Sequence, residues 1–339
     1  MTDAASHPSG PKVILGLPDA RPDYVNAARD LGAPVMFSAN AFARPWTDEM
    51  RDRDEPHPGF RSPPAGRLDG VRAHLDSMGY VASSRYGGFP VSPEQYVELA
   101  GAHPWEAWSS QDLCCEPDIA ASEEEIVARA METAWRHDRL VELAEERGIR
   151  RPLMVVQGWA WHHYVISAEA LEVTEADEVI GIGSVCRRHR SGPDGVLAIL
   201  DRLDRSLPAG VGFHLFGVTS QVLSEVSAHP RVRSMDSQAW GMALRRDHPT
   251  GRNNALAIAY MAAFYRAQRE HVRRGGKGFP PASSLALRPP PIWAGRSEAY
   301  RRRAAEVLHA IRNGHLEAWE YGLRMGMFEA PTLLDVLAA

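Results

Sequence analysis

Acidic and amide side chains follow several apolar runs of this sequence, at places where they could do chemistry. Asp112 lies in SSQDLCCE, Gln157 opens QGWAWHH, and Asp236 lies in MDSQAW. A carboxylate and a glutamine suit the donors and acceptors of a flat heterocycle, and glycine backbone allows close approach. A second carboxylate could act as a nucleophile or a base, although the local sequence equally permits Asp236 to cap a turn. The residue types therefore predict a heterocycle site with one carboxylate available for catalysis.

Alternating strands and helices must position these residues. Short apolar runs predict strands at residues 12–17, 34–40, 79–84, 151–158, 178–185, 210–218 and 232–240. Helical spacing and capping residues predict helices at residues 67–78, 122–148, 195–207 and 220–230. This alternation predicts a parallel sheet, either doubly wound or closed into a (β/α)8 barrel. In such folds the chemistry lies at the carboxyl ends of the strands.

Cysteine usage and hydropathy narrow the setting. The chain has three cysteines, Cys114, Cys115 and Cys186, without the spacing of a metal site. No apolar run approaches the roughly 20 residues that a membrane span needs. These features predict a protein of the reducing cytoplasm, with no membrane partner and no metal.

Positive charge is concentrated near the C-terminus, although the net charge is −5. Thirteen Arg or Lys and only three acidic residues lie between Arg245 and Arg303. Arginine binds phosphate through a bidentate fork, so this block predicts contacts with nucleic acid, unless it is only a solvated helix surface. The predicted phosphate contacts are Arg245, Arg246, Arg252, Arg273 and Arg274.

Several segments resemble a known superfamily in one continuous order. PVMFSANAFARP, SSRYGGFPVSPEQY, SQDLCCEPDIAAS, MVVQG, VIGIGSV and the pair HLFGV and VRSMDS lie between about residues 12 and 245. In that order they resemble the segments of the tRNA-guanine transglycosylase superfamily. IGSVCRR and DSQAW most resemble its deazapurine-DNA modification branch, the DpdA-type proteins. No cysteine follows Cys186, so the zinc ligands of the tRNA enzymes are lacking.

The resemblance implies a fold and an activity. It implies a (β/α)8 TIM-type barrel over residues 12–288, after a disordered lead-in at 1–11. A C-terminal Arg-rich helical extension is expected at 289–339, beyond the proline-rich RPPPIW. The implied activity is the exchange of guanine in DNA for a 7-deazaguanine base, most plausibly 7-cyano-7-deazaguanine, without any cofactor. DNA and the two free bases are then the partners, and a homodimer or accessory proteins stay open.

The resemblance also assigns roles to residues. Asp236 takes the place of the nucleophile that attacks C1′, and Asp112 that of the base-binding carboxylate, which could also accept a proton. The further base-binding positions are Gln157, Gly158, Gly183, Ser184, Gly87 and Gly88. Trp159 and Trp240 are candidates for stacking on a base that has left the helix.

One position departs from the family pattern. In SSRYGGF, Arg85 occupies the place where the family has its general base, an aspartate. Three functions therefore stay open: a DNA-guanine transglycosylase, an enzyme acting on tRNA or small nucleosides, and a non-catalytic relative that binds nucleic acid.

Overall fold

A computed structural model describes residues 10–275 of the chain, apart from residues 187 and 193. The expected extension at 289–339 and most of the lead-in at 1–11 lie outside the described residues. Within the described part, none of the helices combines the length and apolar character that a membrane crossing requires.

Eight parallel strands form one curled sheet. Their order in the sheet is β4-β3-β2-β1-β8-β7-β6-β5, so the first and last strands of the described residues pair at its centre. An isolated parallel bridge between Ser109 and Leu153 connects the chain just beyond β4 with the chain just before β5. The strands are β1 (Lys12–Leu17), β2 (Val35–Ser38), β3 (Ala73–Asp76), β4 (Ala107–Trp108), β5 (Val155–Val156), β6 (Val179–Ile182), β7 (Gly212–Leu215) and β8 (Val232–Ser237).

Helices cover the sheet and alternate with its strands. They are α1 (Pro22–Asp30), α2 (Asp48–Asp52), α3 (Gly79–Tyr86), α4 (Pro93–Gly101), α5 (Glu123–Arg147), α6 (Trp161–Ala170), α7 (Val196–Ser206), α8 (Ser220–Val226), α9 (Ala239–Asp247) and α10 (Asn254–Arg273). A short 3-10 helix (Ala39–Phe42) follows β2. The long predicted helix is confirmed as α5: the Ser122 side chain caps it by accepting the Glu125 N–H, and Gly148 ends it at φ +63°.

The region of β3 differs from the sequence prediction. The sequence predicts a helix at residues 67–78 and a strand at 79–84. The structure has the reverse order: strand β3 lies in the first segment, and helix α3 begins with the second. Pairing with β2 sets the strand, with Asp76 opposite Ser38. Met78 then turns the chain at φ +68°, and α3 begins at the next residue. Tertiary pairing therefore overrides the helical spacing of this short segment.

Two apolar clusters hold the sheet between its helices. One joins β6, β7 and β8 to α6, α7 and α8, and the other joins β1, β2 and β3 to α1, α4 and α10. Most strand residues are buried, as expected for parallel strands covered by helices. This rigid frame fixes the directions in which the strand ends point.

Candidate active site

The carboxyl ends of five strands bring polar side chains to one edge of the sheet. Asp76 is the last residue of β3, and Gln157 directly follows β5. Asp112 lies four residues beyond β4, Ser184 lies two residues beyond β6, and Asp236 is the second-last residue of β8. Because all the strands are parallel, their carboxyl ends meet at the same edge.

A chain of hydrogen bonds connects three of the predicted site residues. Asp112 accepts hydrogen bonds from the Ser77 hydroxyl and from Nε2 of Gln157. The Oε1 atom of Gln157 lies 2.7 Å from the Ser184 hydroxyl. All four side chains are buried, and burial raises the pKa of Asp112 to about 6. The structure therefore brings together Asp112, Gln157 and Ser184, as the sequence analysis expected.

Glu116 extends this chain, and the sequence analysis did not single it out. Its Oε2 lies 3.0 Å from the Ser184 hydroxyl, which also accepts the Cys115 N–H at 2.8 Å. The hydroxyl has one proton, and the amide oxygen of Gln157 only accepts, so Ser184 donates to Gln157. The contact with Glu116 is then a hydrogen bond only when Glu116 itself carries a proton. Burial raises the pKa of Glu116, in agreement with this assignment.

Asp236 is held by the loop that follows β7. The Gly217 N–H donates to its Oδ1 at 3.0 Å. Nε2 of His214 lies 3.4 Å from the same oxygen, and Nδ1 of that ring contacts the Ser234 hydroxyl at 2.8 Å. Only 9% of Asp236 is exposed. The carboxylate is thus buried and oriented, as a nucleophile needs.

Asp76 is a third carboxylate at this edge of the sheet. It accepts the N–H of Met78 at 3.1 Å and a hydrogen bond from the Ser38 hydroxyl. Burial, followed by the charges of Asp112 and Asp236, raises the pKa of Asp76 to about 7. Asp76 therefore lies within the electrostatic reach of both carboxylates that the sequence analysis selected.

Asp76 is not among the residues predicted from the sequence, because the predicted strand lies later in the chain, at residues 79–84. Residues 76–80 read Asp-Ser-Met-Gly-Tyr and directly follow the short apolar run of β3. An aspartate followed by a serine, a glycine and an aromatic residue is the signal that could have found it. Asp76 lies nine residues before Arg85, in a segment that shares this order of residue types with the family motif.

Three glycines allow neighbouring groups of the site to approach the backbone closely. A Cβ atom on Gly79 would overlap the main-chain oxygen of Asp112, and one on Gly183 would overlap the Gln157 amide. At Gly158 a Cβ atom would lie 2.7 Å from the Cβ of His163. These positions therefore admit only glycine without displacement of the site.

Gly87 and Gly88 lie away from the carboxylates. Gly87 caps the C-terminal end of α3 at φ +76°, whereas Asp76 precedes the other end of this eight-residue helix. A helix of that length spans about 12 Å. The structure therefore does not bring these two glycines to the edge where the other predicted base-binding residues meet. Arg85 belongs to the same distant end of α3.

The two tryptophans have different surroundings. The Trp240 ring is 3% exposed, donates its N–H to the Gly16 oxygen at 3.0 Å and packs edge-on against Tyr24. It is a core residue with no open face, which corrects its prediction as a stacking residue. Trp159 is half-buried two residues after Gln157, and the Arg188 guanidinium lies 3.8 Å above its ring.

The predicted phosphate contacts do not all lie at the same end of the strands. Arg273 lines a cavity of about 1870 Å³ beside Lys12 and Val232, the first residues of β1 and β8. Arg273 and Arg274 also pair with Glu270 at 2.7 and 2.8 Å. Both arginines therefore lie at the amino ends of the strands, on the side opposite the carboxylates.

The other three arginines are exposed around α9. Arg245 and Arg246 lie in its last turn, and Arg246 pairs with Asp247 at 2.7 Å. Arg252 lies just before α10, near Asn254, which contacts the first turn of α1 through Asp23 at 2.7 Å. Since α1 follows the carboxyl end of β1, Arg252 is on the carboxylate side of the sheet.

Glu123, His162 and His163 form one cluster of potential metal ligands in the described part of the chain. The sequence predicts no metal in the protein, so this cluster is not one of its predicted sites. Nδ1 of His163 accepts the Ala160 N–H at 3.0 Å, so a neutral ring carries its proton on Nε2, which faces Glu123. A metal would need the lone pair of that nitrogen. Burial alone would raise the pKa of Glu123, but hydrogen bonds from the two histidines lower it well below its ordinary value. The cluster therefore fits a hydrogen-bonded clamp between α5 and α6 better than a metal site.

A family model described as DeoxyPurine in DNA protein A (DpdA) matches residues 68–279, which is more than half of the chain. The matched region begins before β3 and includes all the residues gathered at the carboxyl edge of the sheet. No curated protein matches the sequence significantly.

Proposed function

The chain belongs to the family of DeoxyPurine in DNA protein A (DpdA), and from that premise we propose that it is a DNA-guanine transglycosylase. It exchanges guanine in DNA for a 7-deazaguanine base, with 7-cyano-7-deazaguanine as the first candidate. The observation that carries this proposal is the grouping of Asp76, Asp112 and Asp236 at one edge of the sheet. Base exchange needs a nucleophile, a proton donor and acceptor, and a group that recognises the base, and one carboxylate suits each task.

The fold in this proposal is a closed (β/α)8 barrel of the TIM type. The bridge between Ser109 and Leu153 supports closure, since it joins the chain just beyond β4 to the chain just before β5, the two outer strands of the sheet. Residues 12–288 make up this catalytic domain. The active site at the carboxyl ends of the strands is the position that such barrels use.

Asp236 is the nucleophile of the first step. Its carboxylate forms a bond to C1′ of a deoxyguanosine while the bond from C1′ to N9 of guanine breaks. The electron pair of that bond goes to guanine, and a covalent glycosyl–enzyme ester remains. The hydrogen bond from Gly217 keeps the carboxylate aligned for attack.

Asp76 transfers the protons of both steps. In its protonated form it donates to the departing guanine and becomes a carboxylate. It then accepts the N9 proton of the incoming 7-deazaguanine, whose N9 attacks C1′ and releases Asp236. A pKa of about 7 suits a group that must give and take a proton near neutral pH.

Asp112, Gln157 and Ser184 recognise the base, together with the backbone of Gly158 and Gly183. The Asp112 carboxylate accepts from the N1–H and the amino group of guanine, and the Gln157 amide donates to O6. Guanine and 7-deazaguanine share this six-membered ring edge, so one set of contacts holds both bases. The target base must leave the DNA stack to reach the site, and Trp159 offers a ring beside it.

The position of Arg85 no longer favours a non-catalytic protein. That alternative depended on the absence of a general base, and Asp76 supplies a candidate for the role. No observation favours tRNA or a free nucleoside over DNA.

An incorporation assay tests the proposal. The purified protein is incubated with labelled 7-cyano-7-deazaguanine and, in separate reactions, single-stranded DNA, duplex DNA or bulk tRNA. We expect label in DNA, none with Asp236→Asn, and about 10²–10⁴-fold slower incorporation with Asp76→Asn. Asp30→Asn, an exposed carboxylate at the end of α1, serves as the control and should not change the rate.

Two results would contradict the proposal. Undiminished incorporation by Asp236→Asn would remove the assigned nucleophile. Label in tRNA but not in DNA would move the enzyme to a different substrate.

A further inference from the structure

A second cavity lies at the C-terminal end of α3, and no step of the proposed exchange uses it. Its volume of about 400 Å³ falls within the range of roughly 300–1,000 Å³ found for small-ligand pockets. Its lining consists of Trp46, Arg51, Arg85, Tyr86, Gly88, Phe89 and Pro90. Three aromatic rings beside two guanidinium groups can stack on a nucleobase and pair with its phosphate.

The aromatic wall is held in place before any ligand binds. The indole N–H of Trp46 donates to the main-chain oxygen of Glu55 at 2.9 Å, and the Trp46 ring packs edge-on against His57. The ring of Tyr86 lies 5.6 Å from that of Trp46 at an angle of 50°. Both rings are half-buried, so part of each surface is open to a ligand. A preformed wall reduces the entropy lost on binding.

The two arginines of the cavity differ in their charge balance. Arg51 pairs with Asp48 and donates to the Trp46 oxygen at 2.7 Å. Arg85 is exposed and has no ion-pair partner among residues 10–275, and its guanidinium lies 5.4 Å from the centre of the Tyr86 ring. Arg85 is therefore a cation available to an anionic ligand. Because Arg85 lies beside the Tyr86 ring, a nucleotide whose base stacks on that ring would bring its phosphate close to the guanidinium.

The cavity is connected to the active site by side-chain contacts. The Arg136 guanidinium lies 5.0 Å from the centre of the Phe89 ring and donates to the Gln111 side chain at 3.1 Å. Gln111 directly precedes Asp112. Helix α3 spans about 12 Å between the two places, and stacked bases rise about 3.4 Å each. A strand with its target base in the active site can thus reach the cavity within a few nucleotides.

We propose that this cavity binds an unstacked nucleotide of the DNA strand that flanks the target guanine. Its base stacks on Tyr86 and Trp46, and its phosphate pairs with Arg85. The inference rests on the proposed function, because it takes DNA as the substrate. It gives the protein a second contact with the strand and a means of preferring particular sequence contexts.

Fluorescent oligonucleotides test the inference. Single-stranded DNA with one guanine carries 2-aminopurine at each flanking position in turn, and binding is measured without the incoming base. We expect quenching at one position only, and about tenfold weaker DNA binding by Arg85→Ala and by Tyr86→Leu. Arg53→Ala is the matched control, since Arg53 is exposed beside α2, pairs with Glu49 and does not line the cavity.

The outcomes separate this inference from the proposed function. Equal DNA binding by Arg85→Ala and Arg53→Ala, without position-specific quenching, overturns the inference. A higher KM of Arg85→Ala for 7-cyano-7-deazaguanine, with unchanged DNA affinity, also overturns it and assigns the cavity to the free base. If the quenching depends on Arg85 but the protein exchanges no base, the cavity binds a nucleotide as inferred, and the proposed function is overturned.

Discussion

Three carboxylates at one edge of the sheet cannot all stay ionised without cost. Burial penalises a charge on Asp76, and the charges of Asp112 and Asp236 disfavour it further. Asp76 therefore keeps a proton up to about pH 7, while it lies next to two groups that the reaction needs for other tasks. In the proposed reaction, this environment keeps Asp76 available as the proton donor.

The protonated state of Asp76 predicts how the first step depends on pH. Guanine release in the absence of an incoming base should fall as the pH rises through about 7, because the proton for the leaving group is lost. Asp76→Asn should release guanine about 10²–10⁴-fold more slowly, without this fall. Rapid-quench measurements of released guanine between pH 5.5 and 9 check the prediction. A rate that rises through pH 7 would instead assign the ionised form of Asp76 to this step.

The same variant offers a control that does not depend on activity. Because the pKa of Asp76 is raised in the folded protein from 3.8 to about 7, its contribution to stability is fully present below pH 3.8. This contribution is lost as the pH rises through the folded pKa. Asp76→Asn should therefore melt at a higher temperature than the wild type at pH 8, and the difference should shrink towards pH 4. A lower melting temperature at pH 8 would contradict the crowding of the three carboxylates.

At the scale of single elements, the length of a helix or strand decided whether the sequence pattern could predict it. Helix α5 has 25 residues, a cap at Ser122 and a stop at Gly148, so its pattern alone defined it. Strand β3 has four residues and lies in a segment with helical spacing, and only its pairing with β2 makes it a strand. Because of this error, Arg85 was aligned with the family's general base, and Asp76, now proposed for that role, was not considered.

Gly79 is the first residue of α3 and lies against the main chain of Asp112. This close approach predicts the effect of replacing Gly79. A methyl group there would collide with the main chain of Asp112. We expect Gly79→Ala to reduce stability by about 1–3 kcal/mol. We also expect about a 100-fold loss of activity, because a shift of 1 Å in a reacting group can cost that much. Urea unfolding and the incorporation assay measure the two effects.

Gly148 provides the matched control for this substitution. It caps α5 at φ +63°, and no neighbouring atom lies within 4 Å of the position that a Cβ would take. Gly148→Ala should reduce stability by about 1–2 kcal/mol through backbone strain and leave exchange unchanged. If both variants kept full activity, the contact of α3 with Asp112 would have no role in positioning the site.

At the scale of the whole molecule, the sequence predicted that the carboxyl ends of the strands would meet. It did not predict which arginines lie at the carboxyl ends and which at the amino ends. Asp112, Gln157, Ser184 and Asp236 meet because parallel strands end at a common edge, and the strand–helix alternation already implied parallel strands. The described arginines of the basic block, in contrast, are neighbours along the chain but lie at different ends of the strands. Helix α10 has 20 residues and spans about 30 Å, so its last turn reaches the amino ends of the strands.

This separation predicts that the arginines of the basic block contribute unequally to DNA binding. Arg252 is exposed on the carboxylate side, whereas Arg273 and Arg274 lie on the opposite side and pair with Glu270. Each lost phosphate contact should reduce the slope of log K against log salt by about 0.9 on duplex DNA or about 0.7 on a single strand. Arg252→Ala should therefore lower the slope by about one contact, and the double variant Arg273→Ala/Arg274→Ala should leave it unchanged. Titrations of one oligonucleotide between 50 and 200 mM salt, roughly the range over which such contacts are resolved, distinguish the two. A reduced slope of the double variant alone would mean that DNA binds the amino-end side, away from the carboxylates, and the proposed site could not act on it.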